Sequence, residues 1–531
     1  PVATEISRLR CFLTLIVDEE LDDTKQNRGV EPLPNLDFKF VTANTLLALK
    51  NTEKLQTNQQ ELFDDVESID ELKVLREEFF TSSGPDKESL KLEFVNLQRN
   101  MLENMLDKGF QGHGELTTKL STWEPFTNKQ TNWFDSEWMF GIKEGFDILL
   151  ANPPYLDSER TVESDPEGRE LIKSEYESTK GNWDLYIPFI ELALKILDKD
   201  GFASYITPYQ WLSISYGKAI RKLLNNKIIS FGNLNKVNVF EAGNSPLVFH
   251  FSKNERELLT INTFERNYTL LSPTMIPSKS LEDNWGIALT PNLKLIQKIS
   301  DKKGNFIDKF SFYNPATVSE AYQLKEMVKD LSDPNQYNLQ DNFKLVNTGT
   351  IIKYNNLWGK KDTQYLKSKH LFPVIDKKLY ETNYPKRFPF MNRPKLIFKG
   401  KRYFDGFLDL NNSFLAGKTT LVIHSIEDDI NDLKLGLALF NSDVIHFYIK
   451  EAYGTLGVSG GINITKDLVK NLPLPNIDNS IKNKILELFD EIQNPNNTEK
   501  NIELINKIIF DLFELRKDEI SLIKEATNRK S

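Results

Sequence analysis

Apolar residues recur at helical spacing from the start of the chain. Ile6, Leu9, Leu13 and Ile16 give residues 1–17 the stripe of an amphipathic helix. Asn27-Arg28-Gly29 and Pro32-Leu33-Pro34-Asn35 read as turns, and Phe38-Lys39-Phe40-Val41 as a short strand. Residues 52–108 are densely charged yet keep helical spacing, with Leu62, Val66 and Ile69 before Ser83-Gly84-Pro85-Asp86 and Leu97, Met101 and Met105 after it. The Gly-Pro break predicts a helical hairpin inserted into the first domain. Phe146–Leu150 has the pattern of a buried strand. Leu185, Phe189, Leu192 and Ile196 then share one helical face, and the turn Asp198–Gly201 leads into a strand over Phe202–Ile206. Ile228–Phe231 and Leu247–Phe251 are two further strands. This alternation of strand and helix predicts an α/β sheet.

From about residue 260 the rhythm is lost, which places a change of domain between 255 and 265. The chain becomes irregular and Asn-rich, with short strands at Leu396-Ile397-Phe398 and Thr420-Leu421-Val422-Ile423. Amphipathic helices return over 480–493 and 499–526, separated by Asn494-Pro495-Asn496-Asn497.

The length of 531 residues implies about two to four domains. A single cysteine, Cys11, excludes a disulfide framework, and the five histidines stand too far apart for metal-ligand spacing. A reducing, cytoplasmic setting is expected, with no membrane span. The chain opens Pro-Val-Ala inside a helix, as a chain cut in mid-domain would. The net charge of −9 means that any contact with nucleic acid needs a local basic lining.

The sharpest chemical signal is Asn152-Pro153-Pro154-Tyr155, directly after the strand ending at Ala151. Ligands of open α/β sheets bind at the carboxyl ends of strands. An exocyclic amine whose lone pair is delocalised into a purine ring is a poor nucleophile. A site that accepts hydrogen bonds from both its N–H groups draws the lone pair back. The Asn152 side-chain oxygen can be one acceptor and the Pro153 carbonyl the other. The two prolines fix φ and keep both acceptors aimed beforehand. Tyr155 offers a flat face to a base flipped out of the duplex. Flipping costs a few kcal/mol, against about 1–3 kcal/mol returned by stacking.

With its flanking strand, Phe146–Tyr155 resembles motif IV of the amino-methyltransferases that carry the Asn-Pro-Pro-Tyr signature. Other segments follow in the family's order: Val41–Leu46 resembles motif III, Asn182-Trp183-Asp184-Leu185-Tyr186 motif V, Gly201–Pro208 motif VI, and Val239-Phe240-Glu241-Ala242 motif VIII. The opening helix and Pro32–Leu36 look like those of type IIG restriction–modification enzymes. Leu439–Ser442, Gly460-Gly461-Ile462 and Asn471–Pro475 look like their TaqI-like C-terminal specificity domain.

The resemblance implies an N-terminally truncated, adenine-N6 DNA methyltransferase that uses S-adenosylmethionine. The fold class expected is α/β: an incomplete Rossmann-like methyltransferase sheet with a helical insertion, then an α+β target-recognition domain and C-terminal helices. The expected bounds are 1–50 and 136–258 for the methyltransferase domain, 51–135 for the insertion, 259–475 for target recognition and 476–531 for the last helices. Carried over by position, Asn152, Pro153, Pro154 and Tyr155 are catalytic, and Tyr155 and Phe240 stack on the target base. Asn44, Asp184 and Tyr186 line the cofactor. Phe240 equally fits a core position, Asn44 a turn cap and Asp184 a helix N-cap.

The family's cofactor cradle, motifs I and II, is expected upstream of Pro1, as is the nuclease that would need magnesium. No metal site is expected in the chain itself. Gly417-Lys418-Thr419 ends like a phosphate-binding loop, but Asn412 stands where that loop needs glycine. The best basic stretch is Tyr384–Phe404, with Lys386, Arg387, Arg393, Lys395, Lys399, Lys401 and Arg402 among aromatics and no acid. It fits phosphate contact on double-stranded DNA or, otherwise, a solvated strand edge. Thr455–Asn463 is a glycine-rich loop that could approach the DNA backbone. A monomer is expected. Two other functions remain open: a DNA-binding module without methyl transfer, and methylation of a protein glutamine.

Overall fold

Pro85 begins a helix, the position where its missing N–H matters least, and the helix before it ends at Thr81. The computed structural model describes residues 2–528 except 18–20, 30–35, 37, 50–58, 83–84, 108–114, 128, 235–236, 238, 240–245, 282, 454–461, 463 and 494–497. Helix α1 is Val2–Val17, the inserted hairpin is α2 (Gln59–Thr81) and α3 (Pro85–Asp107), and α4 (Glu115–Ser121) follows. The chain divides into two compact units: residues 1–207 with 219–229 and 249–257, and residues 208–218 with 230–248 and 258–531. Among the described residues no helix is long and apolar enough to cross a membrane.

In the first unit the inserted helices close around aromatic rings. Phe38, 1% exposed, lies edge-on to Phe79, Phe80, Trp123 and Phe126 at 5.3–5.5 Å. This corrects the strand expected at Phe38–Val41. Phe38 has a φ of 61° and Lys39 donates its N–H to Leu36 O, so the segment turns. Its alternation is strand-like, but the ring is drawn into the aromatic cluster, and pairing begins only where Ala43 and Ala48 bridge to Thr131 and Phe134. The stripe on α1 is as spaced, but Ile6, Leu9, Leu13 and Ile16 are 51–58% exposed.

After α5 (Ser136–Phe140), strand β1 (Phe146–Ala151) lies parallel to β2 (Leu197–Pro208), with Ile148 beside Phe202 and Ala151 beside Tyr205. Helices α6 (Ser158–Ser164), α7 (Pro166–Glu175) and α8 (Tyr186–Ile196) fill the crossover. Ile187, Ile190 and Ala193 on α8 are fully buried. The turn expected at Asp198–Gly201 is a bulge inside β2. Gly201 passes so close to β1 that a Cβ would lie 2.5 Å from the Phe146 carbonyl oxygen.

Strands β3 (Ile228–Asn233), β4 (Pro246–Ser252), β5 (Leu258–Thr263) and β6 (Thr274–Pro277) follow. Strands β3 and β4 give residues to both units. Within the second unit β3 and β5 are parallel and β5 and β6 antiparallel, so strand pairing continues past 258.

The second unit goes on through β7 (Phe310–Tyr313), β8 (Lys329–Asp330) and β9 (Asn342–Val346). Two short hairpins follow, β10 (Ile351–Ile352) with β11 (Asn355–Asn356) and β12 (Thr363–Tyr365) with β13 (Ser368–His370). Next come β14 (Pro373–Asp376), β15 (Lys395–Lys399), β16 (Gly406–Asp409), β17 (Phe414–Ala416) and β18 (Thr420–Ser425). They form two four-stranded sheets, β17-β9-β14-β8 and β16-β15-β18-β7. The C-terminal helix expected at 499–526 is two helices, Thr498–Leu512 and Lys517–Thr527, and Glu514 between them has a φ of 53°. Ile505, Ile509 and Ile523 from these two helices, and Ile485 from the helix Asn479–Asp490 before them, share one apolar core with Leu396, Leu421 and Phe440.

Candidate active site

Strand β1 ends at Ala151, and the chain turns at once through the two prolines. Pro153 is buried, Asn152 and Pro154 are exposed, and Tyr155 is half-buried. The Tyr155 hydroxyl donates to the Ile206 carbonyl of β2 at 3.0 Å, and its ring meets Tyr186 edge-on at 6.4 Å. Burial pushes this phenol up to about 12, so it stays a proton donor across neutral pH. The far side of the corner is tied as well: Leu185 donates its N–H to Leu156 O at 2.9 Å, and Ser158 its N–H to Asp184 Oδ1 at 3.2 Å. Among the described residues, neither the Asn152 amide nor the Pro153 carbonyl takes a hydrogen bond. The corner is therefore anchored on both sides while its two acceptors stay open.

The three residues expected to line the cofactor are engaged elsewhere. Asn44 caps its own turn: Leu46 donates its N–H to Asn44 Oδ1 at 3.3 Å and Leu47 its N–H to Asn44 O at 3.2 Å. Asp184 holds Ser158, and Tyr186 is 1% exposed at the start of α8. Each of the three thus has a structural role in the chain. Phe240 lies outside the described residues, as do Pro32–Asn35 and most of Thr455–Asn463.

The basic stretch of the second unit is largely neutralised. Strand β15 is central in its sheet, between β16 and β18, which corrects the strand edge considered above. Lys395 is fully buried and donates to the Asp409 carboxylate at 2.6 Å, its direct partner across β16, and to Met391 O at 2.7 Å. A phosphate cannot reach it. Arg387 grips Glu320 with both arms at 2.7 and 2.8 Å and lowers that carboxyl to about 2. Arg393 pairs with Asp428 at 2.6 Å and Lys399 with Asp405 at 2.8 Å. Lys386, Lys401 and Arg402 are exposed, with no acidic partner among the described residues. The sequence hid this because Glu320, Asp405, Asp409 and Asp428 all lie outside the stretch.

Residues 1–242 match the family model described as Eco57I restriction-modification methylase. This first part of the chain is thus similar to Eco57I-type restriction-modification methylases. The chain is 29% identical over 199 residues to the type II restriction enzyme and methyltransferase RM.Eco57I of Escherichia coli, which covers 35% of this chain and 20% of that protein. It is 28% identical over 170 residues to the type II methyltransferase M.BstVI of Geobacillus stearothermophilus, 29% of this chain and 26% of that one. The chain thus spans about a quarter or less of the length of these curated relatives. Among solved structures it is similar to the type IIL restriction-modification enzyme MmeI in complex with DNA, at 13% identity and a TM-score of 0.43 over 71% of this chain and 56% of that chain. The corner at Asn152–Tyr155 lies inside the matched residues, and the basic stretch beyond them.

Proposed function

We propose that the chain carries the base-acceptor site and the DNA-reading part of a site-specific DNA methyltransferase that modifies adenine N6 in a restriction–modification system. The observation that carries this is the anchored diproline corner with its two open acceptors. An adenine amine placed there donates one N–H to the Asn152 oxygen and the other to the Pro153 carbonyl. That raises electron density on the nitrogen and would ready it to accept a methyl group from the donor. Tyr155, its hydroxyl already bound to Ile206, presents its ring to the extruded base without first having to be ordered.

The family implies S-adenosylmethionine as methyl donor. Asn44, Asp184 and Tyr186 would line it, and each already makes a hydrogen bond or is buried within the chain. Double-stranded DNA is the partner, with Lys386, Lys401 and Arg402 contacting phosphate. Changing Asn152 to Ala in the full-length protein should abolish methylation of phage DNA grown on a methylation-free host while leaving the fold intact. Near-normal methylation by that variant would refute the role given to the side chain.

The engagement of the three cofactor candidates favours a second reading, in which the chain binds DNA without transferring methyl. That reading gains if DNA binding survives while incorporation of labelled methyl stays at background in the unmutated protein.

A further inference from the structure

One arginine holds the segment that follows the corner. Arg169 on α7 is only 8% exposed. Its guanidinium lies 3.7 Å from the centre of the Trp183 ring. Nη1 donates to Thr161 Oγ1 at 2.6 Å, and Nη2 donates to Ser158 Oγ and to the Trp183 carbonyl, both at 3.1 Å. Ser158 and Thr161 belong to α6, which begins three residues after Tyr155. Trp183 belongs to the segment Asn182–Tyr186, whose Tyr186 touches the Tyr155 ring. Asp184 completes the clasp by accepting the Ser158 N–H, and its carboxylate opposes the charge of the buried arginine. A single planar cation thus joins the chain leaving the corner to the chain that flanks it. Stacking and forked donation together need a guanidinium; a lysine would offer a point charge and lose both.

We propose that Arg169 is a positioning residue for methyl transfer, holding α6 against Asn182–Tyr186 so that Asn152 and Tyr155 keep their aim at the base. This rests on reading the diproline corner as the base site. Burial of a guanidinium carries a desolvation cost that surface packing of α7 would not require, which favours a role in holding geometry.

The test uses the full-length protein, with Arg169→Lys and Arg169→Ala measured beside Asn152→Ala. The substrate is phage DNA grown on a methylation-free host. Arg169→Lys should melt cooperatively near the unmutated temperature and leave half-saturation by DNA unchanged, while the methyl-transfer rate falls about 10- to 100-fold, the loss expected for misplacement by around an ångström. Trypsin should cleave it faster after Arg160, which stands exposed on α6. An unchanged transfer rate in a folded Arg169→Lys protein overturns the proposal. So does a rate that falls only in proportion to lost folded protein, because that makes the clasp a stability element and nothing more. If Arg169→Ala fails to fold, Arg169→Lys still decides. Normal methylation by Asn152→Ala would instead remove the base-site reading itself, whereas an inactive Asn152→Ala beside a normal Arg169→Lys removes only the clasp.

Discussion

Replacing Lys395 by methionine removes a charge from the middle of a sheet while keeping most of the side-chain volume. In the native protein the ammonium lies 2.6 Å from Asp409, and both groups are at most 3% exposed. The substitution leaves Asp409 as a buried carboxylate without its hydrogen-bonded counter-charge, although Lys344 and Lys377 still lie close enough to attract it. Breaking such a pair from one side costs about 3–5 kcal/mol. Asp409 also accepts the Ser413 and Phe414 N–H groups at 2.9 and 3.0 Å, and these continue to stabilise the anion. The loss should therefore sit at the low end, about 3 kcal/mol. Methionine fills the space of the lysine stem, so little cavity cost is added. Combining Lys395→Met with Asp409→Asn removes the stranded charge yet keeps an oxygen for those backbone donors, and should recover more than half of the loss. Urea unfolding followed by circular dichroism and by pulse proteolysis gives the midpoints, which convert to free energies where the slopes agree. A Lys395→Met protein within about 0.5 kcal/mol of the parent, the ordinary spread for surface changes, would refute this account, as would a double variant no better than the single one.

If Lys401 and Arg402 bind phosphate, changing both to Ala should weaken binding evenly across DNA sequences and lower the salt slope by about 0.9 for each phosphate no longer neutralised; an unchanged slope removes them from the interface. His424 is fully buried and held at about 4, below its ordinary 6.5, mainly by desolvation. Its folded value is depressed, so its contribution is whole above 6.5 and is lost as pH falls toward 4. The difference in stability between the parent and His424→Gln should shrink over that window, as read by urea midpoints at stepped pH. Gly201→Ala puts a methyl group 2.5 Å from the Phe146 carbonyl oxygen and should cost about 1–3 kcal/mol, with a matching loss of transfer activity because β1 carries the corner.

The sheet strands and the diproline corner could be read from the chain because their signals are local. A run such as Phe146–Leu150 declares a strand by itself, and consecutive prolines fix their own backbone. What could not be read depended on partners far along the chain. Lys395 looks like any surface lysine until Asp409 is placed across from it, and Arg387 until Glu320 is. Phe38 alternates as a strand residue should, but its place among Phe79, Trp123 and Phe126 depends on an insertion that begins well after it. Arg169 is hidden for the same reason, although Asp165-Pro166, an N-cap followed by a first-turn proline, does announce the helix that carries it.

The apolar core shared by Leu396, Leu421 and Phe440 with Ile485, Ile505, Ile509 and Ile523 has a practical consequence. Anyone hoping to exchange sequence preference between relatives by splicing at residue 475 would cut straight through that core. Some of its side chains would come from one parent and the rest from the other, and the chimaera would have to repack them before it could read any site. A cassette exchanged between relatives would have to run through the final helices to keep that core whole.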